Sequence, residues 1–181
     1  MTYRSDFNSF FFSNYIIGQF ESRLSPMTVD AEGVKVYGNI QHATILNASL
    51  SADWQILSQL KWSVKVAYAL GRDDVDANLP LISPLDFLSK LNLSLKKFSV
   101  EAAMLANAKQ SDFGVKYGES PTPAFAIFNL SAQYSASLAS ASLSLRAGVE
   151  NLFDKAYSSY SDWNKIPQKG RNIYLNICLS L

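Results

Sequence analysis

The sequence predicts an all-β chain. It reads as a transmembrane, antiparallel up-and-down β-barrel segment of about eight strands, with short turns at one end and long loops at the other. Three observations predict it. Apolar and polar residues alternate one by one over most of the chain, which gives each strand one greasy and one polar face. The connections between these stretches are short and long in turn. The composition is 48% hydrophobic and 13% aromatic, with only 17% charged residues, against roughly 25% in ordinary soluble domains. No stretch approaches the roughly 20 apolar residues of a spanning helix. Mean hydropathy is +0.01, as expected when greasy and polar residues take turns.

Each strand is read from its own alternation. The first runs from about Phe7 to Phe20 and is the least regular. In the second, Ala48, Leu50, Ala52 and Trp54 alternate with Asn47, Ser49, Ser51 and Asp53. Trp62, Val64, Val66 and Tyr68 then alternate with Ser63, Lys65 and Ala67. Leu91, Leu93 and Leu95 follow between Lys90, Asn92 and Ser94. Phe98, Val100, Ala102, Met104 and Ala106 define the fifth strand. Phe128, Leu130, Ala132 and Tyr134 define the sixth, and Leu143, Leu145, Ala147 and Val149 the seventh. The last carries Ile173, Leu175, Ile177, Leu179 and Leu181 between Asn172, Tyr174, Asn176, Cys178 and Ser180. Each is expected near the 9–11 residues that cross a tilted barrel wall. No long window repeats apolar residues at i, i+3, i+4, i+7, so a helical reading is weak.

Short connections fall near Gln55–Gln59, Leu95–Lys97 and Ser135–Ser140. Long ones fall near Ser22–Glu32, Arg72–Ser83, Lys109–Pro123 and Asp154–Lys169, where most of the Pro residues sit. This asymmetry is that of an outer-membrane barrel, with short periplasmic turns and long external loops. The polar face is Ser, Asn, Gln and Ala with scattered charge, which suits a lumen better than an open surface. Trp54, Trp62, Phe98 and Tyr134 lie beside the short turns, as an interfacial aromatic girdle would.

Several function classes are disfavoured. A net charge of +1 argues against a nucleic-acid surface. The single Cys and single His argue against a disulfide framework, a thiolate zinc site or a His-based hydrolase. No catalytic set, metal site or cofactor motif appears, and an enzyme is not expected. The N-terminus lacks a basic stretch followed by an apolar core, so it does not read as a signal peptide.

Two runs near the C-terminus carry a family resemblance. Asn151-Leu152-Phe153-Asp154-Lys155-Ala156-Tyr157 resembles the "NLFDK-Y" signature at the end of the penultimate strand of TonB-dependent outer-membrane receptors. Pro167-Gln168-Lys169-Gly170-Arg171-Asn172-Ile173-Tyr174 resembles the run that leads into their last strand, matching at Pro167, Gly170, Arg171 and Tyr174. Leu79-Pro80-Leu81-Ile82-Ser83-Pro84 and Glu119-Ser120-Pro121-Thr122-Pro123 resemble their proline junctions, in the family's order. The resemblance covers essentially residues 1–181, as the C-terminal portion of the receptor barrel, with the plug domain and the N-terminal strands absent. Two positions depart from the pattern: Asn47 and Ser49 stand where Gly and Glu are frequent, and the chain ends in Leu181 rather than an aromatic residue.

The resemblance implies a location in the outer membrane of a diderm bacterium. It implies TonB-energised uptake of a scarce nutrient such as a ferric siderophore or another metal chelate. The implied partners are outer-membrane lipid, the barrel-assembly machinery reading Ile177, Leu179 and Leu181, and the TonB complex acting through a plug. Aromatic and basic residues on the last long loop, Tyr157, Tyr160, Trp163 and Lys165, are candidate ligand contacts; ordinary loop packing is the simpler role. Asp73, Asp74 and Asp76 form an acidic cluster that reads as a solvated loop, since hard-cation cages need more oxygens at defined spacing. Lys65, Lys90, Glu101, Arg146 and Glu150 are expected to face the lumen, pairing with one another or with a plug. The alternative is a self-contained eight-stranded outer-membrane barrel with a structural or adhesive role. A soluble ligand-binding barrel ranks third.

Overall fold

The structure is a computed structural model that describes residues 1–21, 34–75, 77–138, 141–162 and 164–180. The strands are β1 (Thr2–Glu21), β2 (Val34–Leu57), β3 (Leu60–Asp73), β4 (Asp86–Leu95), β5 (Phe98–Asn107), β6 (Phe125–Leu138), β7 (Ala141–Glu150) and β8 (Asn172–Ser180). They form one 8-stranded antiparallel sheet in which every strand pairs with its neighbour in sequence. The connections alternate as expected. Leu57↔Leu60, Leu95↔Phe98 and Leu138↔Ala141 close tight hairpins at one end, and the described long connections gather at the other.

Register decides which residues share a face, because directly opposed residues in an antiparallel pair point the same way. One path runs unbroken across the sheet. Phe7 opposes Ala48, which opposes Tyr68; Val66 opposes Phe87, which opposes Ala106. Met104 opposes Phe128; Leu130 opposes Val149, which opposes Ile173. Every strand thus turns its apolar set to the same side. On β8 that side is open: Ile173, Leu175, Ile177 and Leu179 are 58% to 75% exposed. Such a contiguous apolar wall needs a non-aqueous neighbour. At the short-turn end the same face carries paired aromatics. The Trp54 and Trp62 rings lie 6.3 Å apart and the Phe98 and Tyr134 rings 4.8 Å apart, where amphipathic rings meet a membrane boundary.

The polar face is inward. Asp53 takes hydrogen bonds from the Ser63 hydroxyl and the Lys61 amine, the latter at 3.2 Å. Asp86 does the same with Ser83 and Asn107. Mutual pairing among the five charged lumen positions is not observed. Glu150 instead pairs with Lys169 at 2.5 Å. Lys65, Lys90, Glu101 and Arg146 form no ion pair among the described residues.

Three features go beyond the sequence expectation. First, β1 has 20 residues and β2 has 24, far beyond one bilayer crossing. Their outer halves continue past Asn14, whose φ is 55°. There the alternation slips: Ile40 and Ala43 are both buried, while Gln41 and His42 between them are exposed. The register is unchanged across the slip (Ser13↔His42, Tyr15↔Ile40), so the two strands turn over together. Second, the sheet is open. Among the described residues no pairing joins β8 to β1, so the eight-stranded barrel closed on itself is not the arrangement found. Open edges leave backbone N–H and C=O groups unpaired, which hydrocarbon does not tolerate. Third, the buried core lies at the outer end rather than mid-sheet, built from Ile17, Ile40, Ala43, Leu79 and Tyr117. Residues 22–33, where the sequence predicts a long connection, and Asp76, Trp163 and Leu181 lie outside the described residues.

Candidate functional site

Three of the long connections, β3–β4, β5–β6 and β7–β8, form one cross-linked cap at the outer end. Its centre is Tyr117, in a single 3-10 turn (Val115–Tyr117) of the β5–β6 connection. Tyr117 is 0% exposed. Its ring packs with Leu79 from the β3–β4 connection and with Ile17, Ile40 and Ala43 from β1 and β2. The connection therefore crosses back over the sheet to reach the first hairpin. The Tyr117 hydroxyl donates to Asp73 Oδ2 at 2.7 Å, and the Lys116 amine lies 3.4 Å from the same oxygen. Asp73 Oδ1 accepts from the Val75 and Ala77 amides at 3.0 and 2.7 Å. Gly118 follows with φ 81°, a left-handed bend that glycine adopts without a Cβ clash.

Asp73 ends β3 at the long-loop end of the sheet. Burial disfavours its charge, but the hydrogen bonds from Tyr117 and from the Ala77 and Val75 amides, with Lys116 nearby, outweigh it and hold the carboxyl below its ordinary range. Burial first, and the Asp73 carboxylate second, push the Tyr117 hydroxyl well up, so it stays protonated as a donor. A carboxyl depressed in the folded state stabilises above its unfolded value of about 3.9, and that stabilisation is lost as pH falls through the folded value. The cap is therefore expected to hold at neutral pH and to loosen only in acid below about pH 4. Hydrogen exchange of the Ala77 and Tyr117 amides across pH 3–7, corrected for intrinsic exchange, measures it. Loosening already at pH 6 would contradict this reading of Asp73.

The two proline junctions are tied by one carboxylate. Glu119 accepts from the Leu81 amide at 2.6 Å and from the Gly114 amide at 2.8 Å. The Gln110 side-chain amide reaches the Ile82 carbonyl at 2.9 Å. The β7–β8 connection joins the cap through Lys165, whose amine donates to Thr122 Oγ1 at 2.5 Å and to the Ser120 carbonyl at 3.2 Å. Tyr157 lies against Phe125 with ring centroids 4.4 Å apart. A cleft beside this ring pair is lined by Lys155, Lys165, Pro123 and Pro167. Of the four candidate ligand contacts, the structure thus brings Tyr157 and Lys165 together, Tyr157 already packed on the start of β6 and Lys165 already bonded to the β5–β6 connection. Tyr160 is half-buried further along, and Trp163 lies outside the described residues. Among the described residues no three His, Cys, Asp or Glu side chains converge to hold a metal.

The two C-terminal motifs turn out to be one structural unit. Asn151 is 3% exposed with φ 50°. Its amide accepts from the Lys155 N–H at 2.8 Å and donates to the Lys155 carbonyl at 2.9 Å and the Lys169 carbonyl at 3.4 Å. Its own N–H is held by Asn129 Oδ1 at 2.8 Å. Leu152 donates to the Phe128 carbonyl at 2.7 Å. Phe153 turns to the apolar face, edge-on to Phe128 at 5.4 Å. Asp154 Oδ1 accepts from the Arg171 amide at 2.7 Å. A Cβ on Gly170 would sit 2.6 Å from that same oxygen. Gly170→Ala is therefore expected to displace the Asp154 carboxylate and release the start of β8, costing about 1–3 kcal/mol through the lost hydrogen bond and strain. Urea titration of the folded barrel measures this; an unchanged midpoint would refute the interlock. Tyr174 covers Gly148 on the inner face, its hydroxyl 2.5 Å from where a Cβ would stand.

This architecture has close structural counterparts. The copper transporter OprC superposes with a TM-score of 0.84 at 20% identity, over 98% of this chain and 28% of its own. The chain has the fold of the TonB-dependent receptor barrel. A variant of the ferric enterobactin receptor PfeA of Pseudomonas aeruginosa matches with a TM-score of 0.70 at 18% identity, over 97% of this chain and 28% of the other. The iron transporter FrpB of Neisseria meningitidis matches at 0.67 and 14% identity, over 99% and 29%. The chain thus spans just over a quarter of the length of these proteins. No protein-family model and no curated protein sequence matches it.

The Asp73–Tyr117 clasp and the Glu119 tie were not among the sequence candidates. The signal that could have found Tyr117 is a bulky aromatic within the polar, glycine-flanked run Gly114-Val115-Lys116-Tyr117-Gly118. An aromatic residue in an otherwise polar loop is usually packed against something.

Proposed function

We propose that this chain is the C-terminal portion of an outer-membrane TonB-dependent receptor barrel that takes part in uptake of a scarce nutrient such as a ferric siderophore or another metal chelate. The observation that carries the reading is the joined motif unit, Asn151–Asp154 locked to Lys169–Arg171, at the end of a meander whose long connections all lie on one side. Solved proteins of the same fold are described as copper and iron transporters and as a ferric enterobactin receptor, which supports transport of a metal or its chelate. In this reading the chain supplies wall and outer cap, and a plug domain outside residues 1–181 couples to the TonB complex. Outer-membrane lipid meets the apolar face, and the barrel-assembly machinery reads Ile177, Leu179 and Leu181. Tyr157 and Lys165, at the Phe125 cleft, are the proposed ligand contacts, together with Tyr160 and Trp163 of the same stretch of sequence. The structural or adhesive alternative finds no support in a sheet that does not close.

The test is uptake by the full-length protein in cells with and without an active TonB complex, using labelled ferric enterobactin, a ferric hydroxamate and copper as probes. Energy-dependent uptake of at least one probe is expected, with Tyr157→Ala plus Tyr160→Ala lowering uptake or shifting the preference among probes. Uptake of none, or uptake indifferent to TonB, would defeat the reading.

A further inference from the structure

At the short-turn end, away from the cap, the inner face holds a cavity lined by Lys96, Lys97, Gln133, Ser135, Ser142 and Ser144. It lies between the β4–β5 turn and the β6–β7 hairpin. The Ser135 amide donates to the Lys97 carbonyl at 2.8 Å, so the turn is fixed to the wall. Among the described residues the amines of Lys96 and Lys97 meet no carboxylate and no hydrogen-bond acceptor. The Gln133 side-chain amide donates to Ser135 Oγ at 3.3 Å and to Ser144 Oγ at 3.2 Å. Each hydroxyl thus already accepts a hydrogen bond, and its own proton remains to be donated. Arg146 opposes Gln133 in the register and adds a third cation on the same face; its guanidinium reaches Ser131 Oγ at 3.4 Å. No acid lines the cavity. The closest inward-facing acid in register is Glu101, opposite Ser131, one inward position farther from the turn.

Two free ammonium groups, two pre-oriented hydroxyls and no carboxylate make a pocket of donors. Such a pocket lacks one thing, an anion with several acceptor oxygens. A phosphate group has that shape and charge, and long lysine stems can close on it from the turn. We propose that this cavity binds a phosphate group at the short-turn mouth of the barrel wall. The phosphate belongs either to a free phosphate ion at the mouth of the lumen or to a phospholipid headgroup that reaches over the rim of the wall past the β4–β5 turn. The site is independent of what the outer cap transports.

The test uses the full-length protein in detergent micelles, titrated calorimetrically with inorganic phosphate, and separately with short-chain phosphatidylglycerol and phosphatidylcholine. Two variants accompany it, Lys96→Gln with Lys97→Gln, and Ser135→Ala with Ser144→Ala, the second leaving the charge untouched. Heat-modifiable gel migration verifies that each variant is assembled. Saturable binding of inorganic phosphate, weakened about tenfold or more in both variants, supports a free-phosphate site. Binding of phosphatidylglycerol but not of inorganic phosphate or phosphatidylcholine, with the same losses, assigns the site to a lipid headgroup. If the wild type binds neither, or the serine variant binds as tightly as the wild type, the proposal falls, because surface charge alone would then account for the signal.

Discussion

Ile177→Arg is expected to cripple assembly of the barrel wall, while Cys178→Arg, one residue further along β8, is tolerated. Both sites lie at nearly the same depth. Ile177 opposes Leu145 on the apolar face and is 67% exposed; Cys178 opposes Ser144 on the inner face. A guanidinium on a lipid-facing position costs roughly 2–4 kcal/mol near the bilayer midplane and less toward the rim. Inside a lumen the same group keeps its water. Marginal stabilities make a difference of this size visible. The comparison is read from the fraction of heat-modifiable, folded protein in outer-membrane preparations. Equal loss in both variants would show that β8 is sensitive to any charge, and loss only in Cys178→Arg would invert the facing.

Tyr117→Ala is expected to undo the cap without unfolding the sheet. The side chain is fully buried, and truncating such an aromatic residue typically costs about 3–5 kcal/mol. The truncation also strips Asp73 of its hydroxyl donor. Tyr117→Phe keeps the ring and removes only the hydroxyl, so its cost is smaller, about 1–3 kcal/mol. Hydrogen exchange of the Val115–Glu119 amides separates them: protection vanishes in the alanine variant and falls partway in the phenylalanine variant. Protection among the β4–β5 pairs, such as Leu91↔Ala102, is expected to stay unchanged, because the hairpin does not rest on the cap. Full protection of the loop in Tyr117→Ala would mean that the backbone ties through Glu119 and Gln110 suffice.

How much of this was readable follows from the range of each interaction. The strand faces were legible because a strand side chain reports its face every second residue, and membrane and lumen impose opposite chemistries on the two sides. The connections were legible because Pro and Gly mark them. The outer halves of β1 and β2 were not. Near Asn14 and Gln41–His42 the alternation slips on both strands at once, so a period-2 pattern read through residues 34–43 appears broken while the pairing continues. The cap was not legible either. Tyr117 finds Asp73, 44 residues away, and Lys165 finds Thr122 across 43, contacts that no local pattern encodes. The motif runs at Asn151 and Gly170 were recognisable as strings, but their joint reason, one turn clasping the start of the last strand, is a matter of three-dimensional contact. Nor does any local signal say that β1 and β8 stay apart.

The central claim is that the apolar side of this sheet faces lipid and the polar side a lumen. Single cysteines on β5, labelled with a fluorophore in a Cys178→Ser background, test it most directly, because β5 is paired on both sides and free of edge effects. A lipid-soluble quencher in native membranes is expected to dim labels at Val100, Ala102 and Met104 and to spare those at Ser99, Glu101 and Ala103. Quenching without that alternation, or strongest at Ser99, Glu101 and Ala103, would contradict the account.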